Sequence, residues 1–240
     1  MGQLPSACVR PSKTFLHTGI DYAGPVTLKT FQGRGAKTYK GWITVFVCLA
    51  TSAIHIEIVT DYFTDAFDAT FRRFISRSGT CSTLYSDCDD TDWKFNPPST
   101  PHFGGKWKAV VKSIKFHLIR IIGESLSTYD QLATVLAQIE AVLNSRSVKP
   151  LSEDPADLTL TPGNFLIGEL LIAVPGPLLL DNNSATLSRW QQSQQKFQRF
   201  WSRWSSEYLQ RYQSISKQHN PQNDIKVGSL VLLTDEKFLL

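Results

Sequence analysis

The chain contains no CxxC pair and no His-x-x-x-His, and its four cysteines stand far apart at Cys8, Cys48, Cys81 and Cys88. That spacing argues against a zinc site and reads as reduced thiols of a cytosolic or nuclear protein. No apolar run approaches the roughly 20 residues of a membrane helix. The opening residues lack the charged-then-apolar layout of a signal peptide, so the expectation is a nuclear or cytoplasmic chain with no membrane partner. The start "MGQLPS" fits the loose myristoylation pattern, which chance matches explain well enough. Strong charge of one sign is also missing: 25 Lys and Arg against 21 Asp and Glu leave a net charge of +4. With 42% hydrophobic and 19% charged residues, the 240-residue chain is globular, long enough for one good core and an appendage. The charge is uneven, however. Residues 101–150 hold seven Lys or Arg against three acids, whereas residues 151–180 hold four acids and neither Lys nor Arg. A local basic surface follows.

What is present reads first as strands. "FLHTGIDYAG" (15–24) is an extended run ending at Gly-Pro, and "YKGWITVFVCLA" (39–50) is apolar throughout, as a central strand is. "AIHIEIVT" (53–60) alternates, with Ile54, Ile56 and Ile58 on one face and His55, Glu57 and Val59 on the other. Only Thr51 and Ser52 separate the last two runs, which predicts a hairpin. The period then changes. "TDAFDATFRRFISRSG" (64–79) spaces Phe67, Phe71 and Phe74 helically, with Thr64 as the expected N-cap and Gly79 as the stop. "STLYSD" (82–87) returns to strand, and a strand-helix-strand unit favours a parallel partner.

Two further helices follow. Residues 104–122 bury Trp107, Val111, Ile114, Leu118 and Ile121 on one stripe. Residues 127–146 open with Ser127-x-x-Asp130, which resembles a capping pair, and bury Leu132, Val135, Leu136, Ile139, Val142 and Leu143. Residues 150–186 read as irregular connection. Near the C-terminus, Trp190, Phe197, Trp201, Trp204 and Tyr208 make one stripe, read as a packing face. "KVGSLVLL" (226–233) is one last strand-like segment.

Asp21 and Asp87 each end a strand. Parallel neighbours lie about 4.8 Å apart, so two such carboxylates could share Mg2+ or Mn2+. On spacing alone, strand-end aspartates are more often loop starts. The acidic run "DCDDTD" (87–92) lacks the Gly and Glu of a calcium loop and reads as an exposed junction.

Eight segments occur in a telling order: "TGIDYAGPV", "FVCLATSAIHIEIV", "FRRFISRSG", "LYSD", "WKFNPPSTPHFGGKW", "VKSIKFHL", "QIEAVLNSR" and "LTPGNFLIGE". Together they resemble the integrase core of Bel-Pao type LTR retrotransposons, a branch of the retroviral-like integrases. The resemblance implies an RNase H-like α/β core over residues 10–175, with a mixed sheet of about five strands flanked by helices. It also implies a truncated C-terminal region over 187–240, made of a long aromatic-rich helix and one strand. In that family three carboxylates hold two divalent metals that process DNA ends and join them to target DNA. Asp21 and Asp87 match the first two. The third falls in Gly-Gly-x-Trp-Glu, which here reads Gly104-Gly105-Lys106-Trp107-Lys108. An ammonium cannot ligate a metal, and it repels one. We therefore expected Lys108 to pair with Asp21 or Asp87 in place of metal.

A second departure concerns the path after Asp87. Only residues 88–92 separate it from Trp93, where the family has a helix and a return path. Five extended residues span at most about 18 Å, too little for a crossover. The edge strand and crossover helix are expected to be missing. The resemblance makes Lys106, Lys108, Lys112 and Lys115 a phosphate-contacting surface, with positions 108, 112 and 115 sharing one helical face. The plain alternative is a solvated face. Three readings stay open: a nucleic-acid-binding integrase core without chemistry, an active transferase using a substitute acid such as Asp89 or Asp90, and a non-functional fragment. The resemblance also leads us to expect homo-oligomers, with the N-terminal zinc module typical of integrases expected to be absent.

Overall fold

A computed structural model of the chain describes residues 10–86, 105–122, 126–148, 160–169, 171 and 176–219. β1 (His17–Lys29) lies at the middle of a mixed five-stranded sheet. Antiparallel to it runs β2 (Thr38–Cys48), which pairs in turn with β3 (Ile54–Val59). The expected hairpin forms, and Cys48 N–H closes it by donating to Ala53 O at 2.8 Å. α1 (Thr64–Ser78) then carries the chain to β4 (Thr83–Ser86), parallel to β1 on its other side. α2 (Gly105–Ile122) leads to β5 (Ser127–Thr128), which pairs in parallel with Leu28 and Lys29 of β1. α3 (Tyr129–Asn144), α4 (Pro162–Ile167) and α5 (Arg189–His219) complete the described elements.

The period-2 and period-3.6 patterns place the apolar residues as read. On one sheet face, α1 presses Phe67 and Phe74 against Phe15, Ile20 and Phe46. Phe46 and Phe74 stack at 4.2 Å, and Phe15 meets Phe74 edge-on at 5.1 Å. Burial of such a ring contributes about 2–3 kcal/mol relative to exposure. On the other face, Val111, Ile114, Leu118 and Ile121 of α2 and Leu132, Leu136 and Ile139 of α3 cover Ile43, Val45 and Val47.

Several local expectations change. β1 does not stop at Gly-Pro. It passes through a bulge between Ala23 and Val26, where Gly24 has φ +139° and an added Cβ would meet Trp42 Cδ1 at 3.3 Å. Only glycine suits that position, so the strand kinks and resumes. The N-cap of α1 is Phe63, and Thr64 is already helical. In α3 the cap is Thr128, whose N–H donates to Gln131 Oε1 at 3.1 Å, because Ser127 is drawn into β5. That short strand, absent from the sequence reading, is the fifth of the sheet; "WKF" and residues 226–233 lie outside the described residues.

The long C-terminal helix also differs from a separate appendage. Phe197, Phe200 and Trp204 of α5 belong to the same buried cluster as β2, α2 and α3. Trp204 stacks on Tyr208 at 4.9 Å, and Tyr208 Oη donates to Ser147 O at 3.0 Å. Trp190, expected on the buried stripe, is exposed, while Phe200, outside that stripe, is fully buried. Phe200 takes this place because Phe197, Phe200 and Trp204 follow the i, i+3, i+7 spacing of one helical face. Helix glutamines hold the preceding segment. Gln195 Nε2 donates to Leu179 O and Asn182 O, both at 2.7 Å, and Gln198 Nε2 donates to Pro177 O at 2.7 Å. An irregular stretch has no ladder to satisfy its carbonyls, and side-chain amides supply the missing donors.

Candidate functional site

Asp21 lies within β1, and its neighbour Ile20 is in register with Ser86 at the end of parallel β4. Along β1, Ile20 joins the cluster under α1, whereas Ala23 joins the cluster under α2 and α3. Asp21 therefore points to the α2 side. There Lys115 Nζ stands 2.6 Å from Asp21 Oδ2, both side chains about one quarter exposed. The other oxygen, Oδ1, accepts the N–H of Tyr22 at 2.7 Å. Both carboxylate oxygens are thus engaged by donors of the chain.

The pairing expected of Lys108 with Asp21 or Asp87 lies outside the described residues; the cation seen on Asp21 is Lys115. The reason is helical phase: Lys115 follows the buried Ile114 by one residue and lies at the border between core and solvent. The expected shared face of positions 112 and 115 accordingly splits. Lys112 is exposed, and Lys115 is turned to Asp21. Outward on α2, Phe116, Ile119 and Arg120 join Lys112, with the Arg120 guanidinium 3.7 Å above the Phe116 ring. Asp87, Asp89, Asp90 and the side chains of Lys106 and Lys108 lie outside the described residues.

Would these residues suit the divalent metals implied by the resemblance? Hard cations need several oxygen ligands free to coordinate. Asp21 offers one carboxylate, already neutralised, and among the described residues no group of three or more His, Cys, Asp or Glu converges to hold a metal. The other positions the resemblance implies, Asp87 and the side chain of Lys108, lie outside the described residues.

A second charged cluster escaped the sequence reading. His55 and Glu57 were placed on an alternating strand face, yet both are buried under α1. His55 Nε2 faces Glu57 Oε1 at 3.3 Å, and Nδ1 faces Glu140 Oε1 of α3 at 3.2 Å. A neutral imidazole has one donor only, so two carboxylate partners require the doubly protonated ring. Burial presses its pKa down, but the hydrogen bonds and charges of Glu140 and Glu57 outweigh that and raise it to about 9. Arg73 Nε and Arg77 Nη1 of α1 each reach Glu57 at 2.7 Å. Burial acts to raise the Glu57 pKa, and its His55 and Arg73 partners lower it overall. The usable signal was the pairing of spacings: His55 and Glu57 two apart on a strand, and Arg73 and Arg77 one turn apart on the helix beside it.

This charge state has a pH signature. The folded state holds a proton on His55 that the unfolded state releases at its ordinary pKa of 6.5. The stabilisation is therefore complete below about pH 6.5 and is lost as pH rises through about 9. Urea midpoints measured across that window are expected to fall with rising pH, and His55→Gln is expected to flatten the slope. An unchanged slope in the variant would show that another group carries it.

The same α3 surface finishes the free edge of the sheet. Asn144 accepts the N–H of Ile54 at 2.8 Å and donates to Ile54 O at 2.7 Å, while Glu140 Oε2 accepts the N–H of Ile56 at 2.8 Å. An exposed edge strand invites pairing with other chains, and side-chain partners blunt it.

Compared with known proteins, residues 188–239 match a family of unknown function (DUF5641), a stretch that begins with α5. No curated protein matches the chain.

Proposed function

We propose that this chain is a nucleic-acid-binding integrase core of the Bel-Pao retrotransposon type, with an RNase H-like fold, in which metal-dependent DNA cutting and joining have been lost. The reading rests on one observation above the rest: the first acid of the family pattern, Asp21, lies on central β1 and is held at 2.6 Å by Lys115. The sheet order β3-β2-β1-β4, antiparallel and then parallel across β1, supports the fold assignment. At the third acid position the sequence has Lys108. A cation of the chain at each of these places opposes a divalent ion electrostatically.

DNA binding draws on the outward face of α2, where Lys112 and Arg120 offer phosphate contacts that carry no sequence preference. Anisotropy of a labelled duplex is expected to give an affinity that falls steeply between about 50 and 200 mM salt. Lys112→Glu is expected to weaken binding several-fold and reduce the salt slope by about one. A flat salt response would overturn the binding assignment. Labelled DNA ends incubated with Mn2+ are expected to remain intact. Nicking that Asp21→Asn abolishes would overturn the loss of chemistry.

A further inference from the structure

Among the described residues, the edge of β3 is finished on both sides but open in between. Ala53 O faces β2, so backbone groups of the odd residues of β3 point to β2 and those of Ile54, Ile56 and Ile58 point outward. Asn144 and Glu140 take the groups of Ile54 and the N–H of Ile56. Arg73 Nη2 reaches Ile58 O at 3.4 Å. Between these brackets, Ile56 C=O and Ile58 N–H meet no partner among the described residues.

Ile56 and Ile58 line a cavity of about 650 Å3 between α1, α3 and α4. Leu136, Ala137, Phe165 and Ile167 supply apolar wall, and Phe165 and Ile167 are themselves exposed. Lys13, Arg73 and Arg77 line the same space against Glu57 and Glu140, so cations outnumber acids even before His55 is counted. Lys13 Nζ lies at the C-terminal end of α1, 2.6 Å from where a Cβ on Gly79 would stand.

We propose that this cavity binds a short extended peptide of a partner protein, acidic in character, with one apolar side chain. An amide N–H at Ile56 O and a carbonyl at Ile58 N–H form the paired bonds of one residue in a parallel strand. The occupied positions on either side limit the pairing to that residue. The apolar side chain lies on Phe165 and Ala137, and its acidic neighbours meet Lys13 and Arg77. Nucleic acid lacks the N–H and C=O pair spaced for this edge. The inference is independent of the DNA reading, since α2 takes no part in it.

The test uses the full chain and a fluorescein-labelled pentapeptide with leucine at its centre and aspartate at the other four positions, read by anisotropy. Saturable binding is expected, with an affinity about tenfold weaker in Lys13→Glu and about tenfold weaker for the same peptide N-methylated at its central residue. Ala137→Trp, at an exposed position of the cavity wall, is expected to abolish binding without unfolding the chain. No binding at millimolar peptide would overturn the proposal, as would equal binding of a lysine-leucine peptide. Indifference to both Lys13→Glu and Ala137→Trp would place the peptide elsewhere and overturn it too. Indifference to N-methylation would overturn the backbone pairing.

Discussion

Phe200→Ala is expected to destabilise the whole α/β unit by about 3–5 kcal/mol, the usual cost of removing a buried ring and leaving its space unfilled. Phe200 is fully buried in the cluster shared by the sheet, α2, α3 and α5. For a chain of this size the loss corresponds to roughly 6–20 °C in melting temperature. The informative feature is cooperativity. Denaturant unfolding followed by far-UV circular dichroism and by tryptophan fluorescence should give coincident transitions, both displaced by the variant. If α5 folded as a unit of its own, the two probes would separate and the sheet would keep its stability. Trp190→Ala provides the contrast. Its side chain is 59% exposed, and its loss should fall within about 0.5 kcal/mol.

The second large effect is expected from Asn144→Ala. Asn144 has no exposed surface, and its amide serves Ile54 from both ends, accepting from N–H and donating to C=O. Removal leaves two buried backbone groups unpaired, each worth about 1–3 kcal/mol in lost solvation, so a total of about 2–6 kcal/mol is expected. Asn144→Asp keeps the acceptor for Ile54 N–H but sets a carboxylate against Ile54 O. It should be no better than alanine. A chemical-denaturation series of the two variants checks this, and near-native stability for Asn144→Asp would contradict the hydrogen-bond account. Because this contact closes the outer edge of β3, we also expect Asn144→Ala to raise aggregation on heating, measured by light scattering.

Much of this was legible from pattern alone. The stripe Val111, Ile114, Leu118 and Ile121 and the stripe from Leu132 to Leu143 are buried as spacing demanded, because a helix against a sheet can hide only one face. The parallel placement of β4 followed from the helix between two strands. Other features depended on partners far apart in sequence. Glu140 reads as a solvated helix position until β3 is beside it, 84 residues away at Ile56. Ser127 and Thr128 are too short a run to announce a strand, and they pair only because β1 continues past its bulge to Leu28 and Lys29. The buried glutamines of α5 read as solvent-facing, since nothing in their spacing shows that an irregular neighbour needs donors. At the candidate site, Asp21 was found from its strand, whereas the choice of Lys115 as counter-ion required the rotation of α2.

The pairing of Asp21 with Lys115 also changes how the chain relates to its surroundings. A carboxylate that waits for a divalent ion shares its fate with the ionic composition of the compartment, and chelators or scarcity can empty it. An ammonium built into the same polypeptide is present from synthesis at a local concentration fixed by the fold. The negative charge of Asp21 thus has a counter-ion that the fold itself supplies.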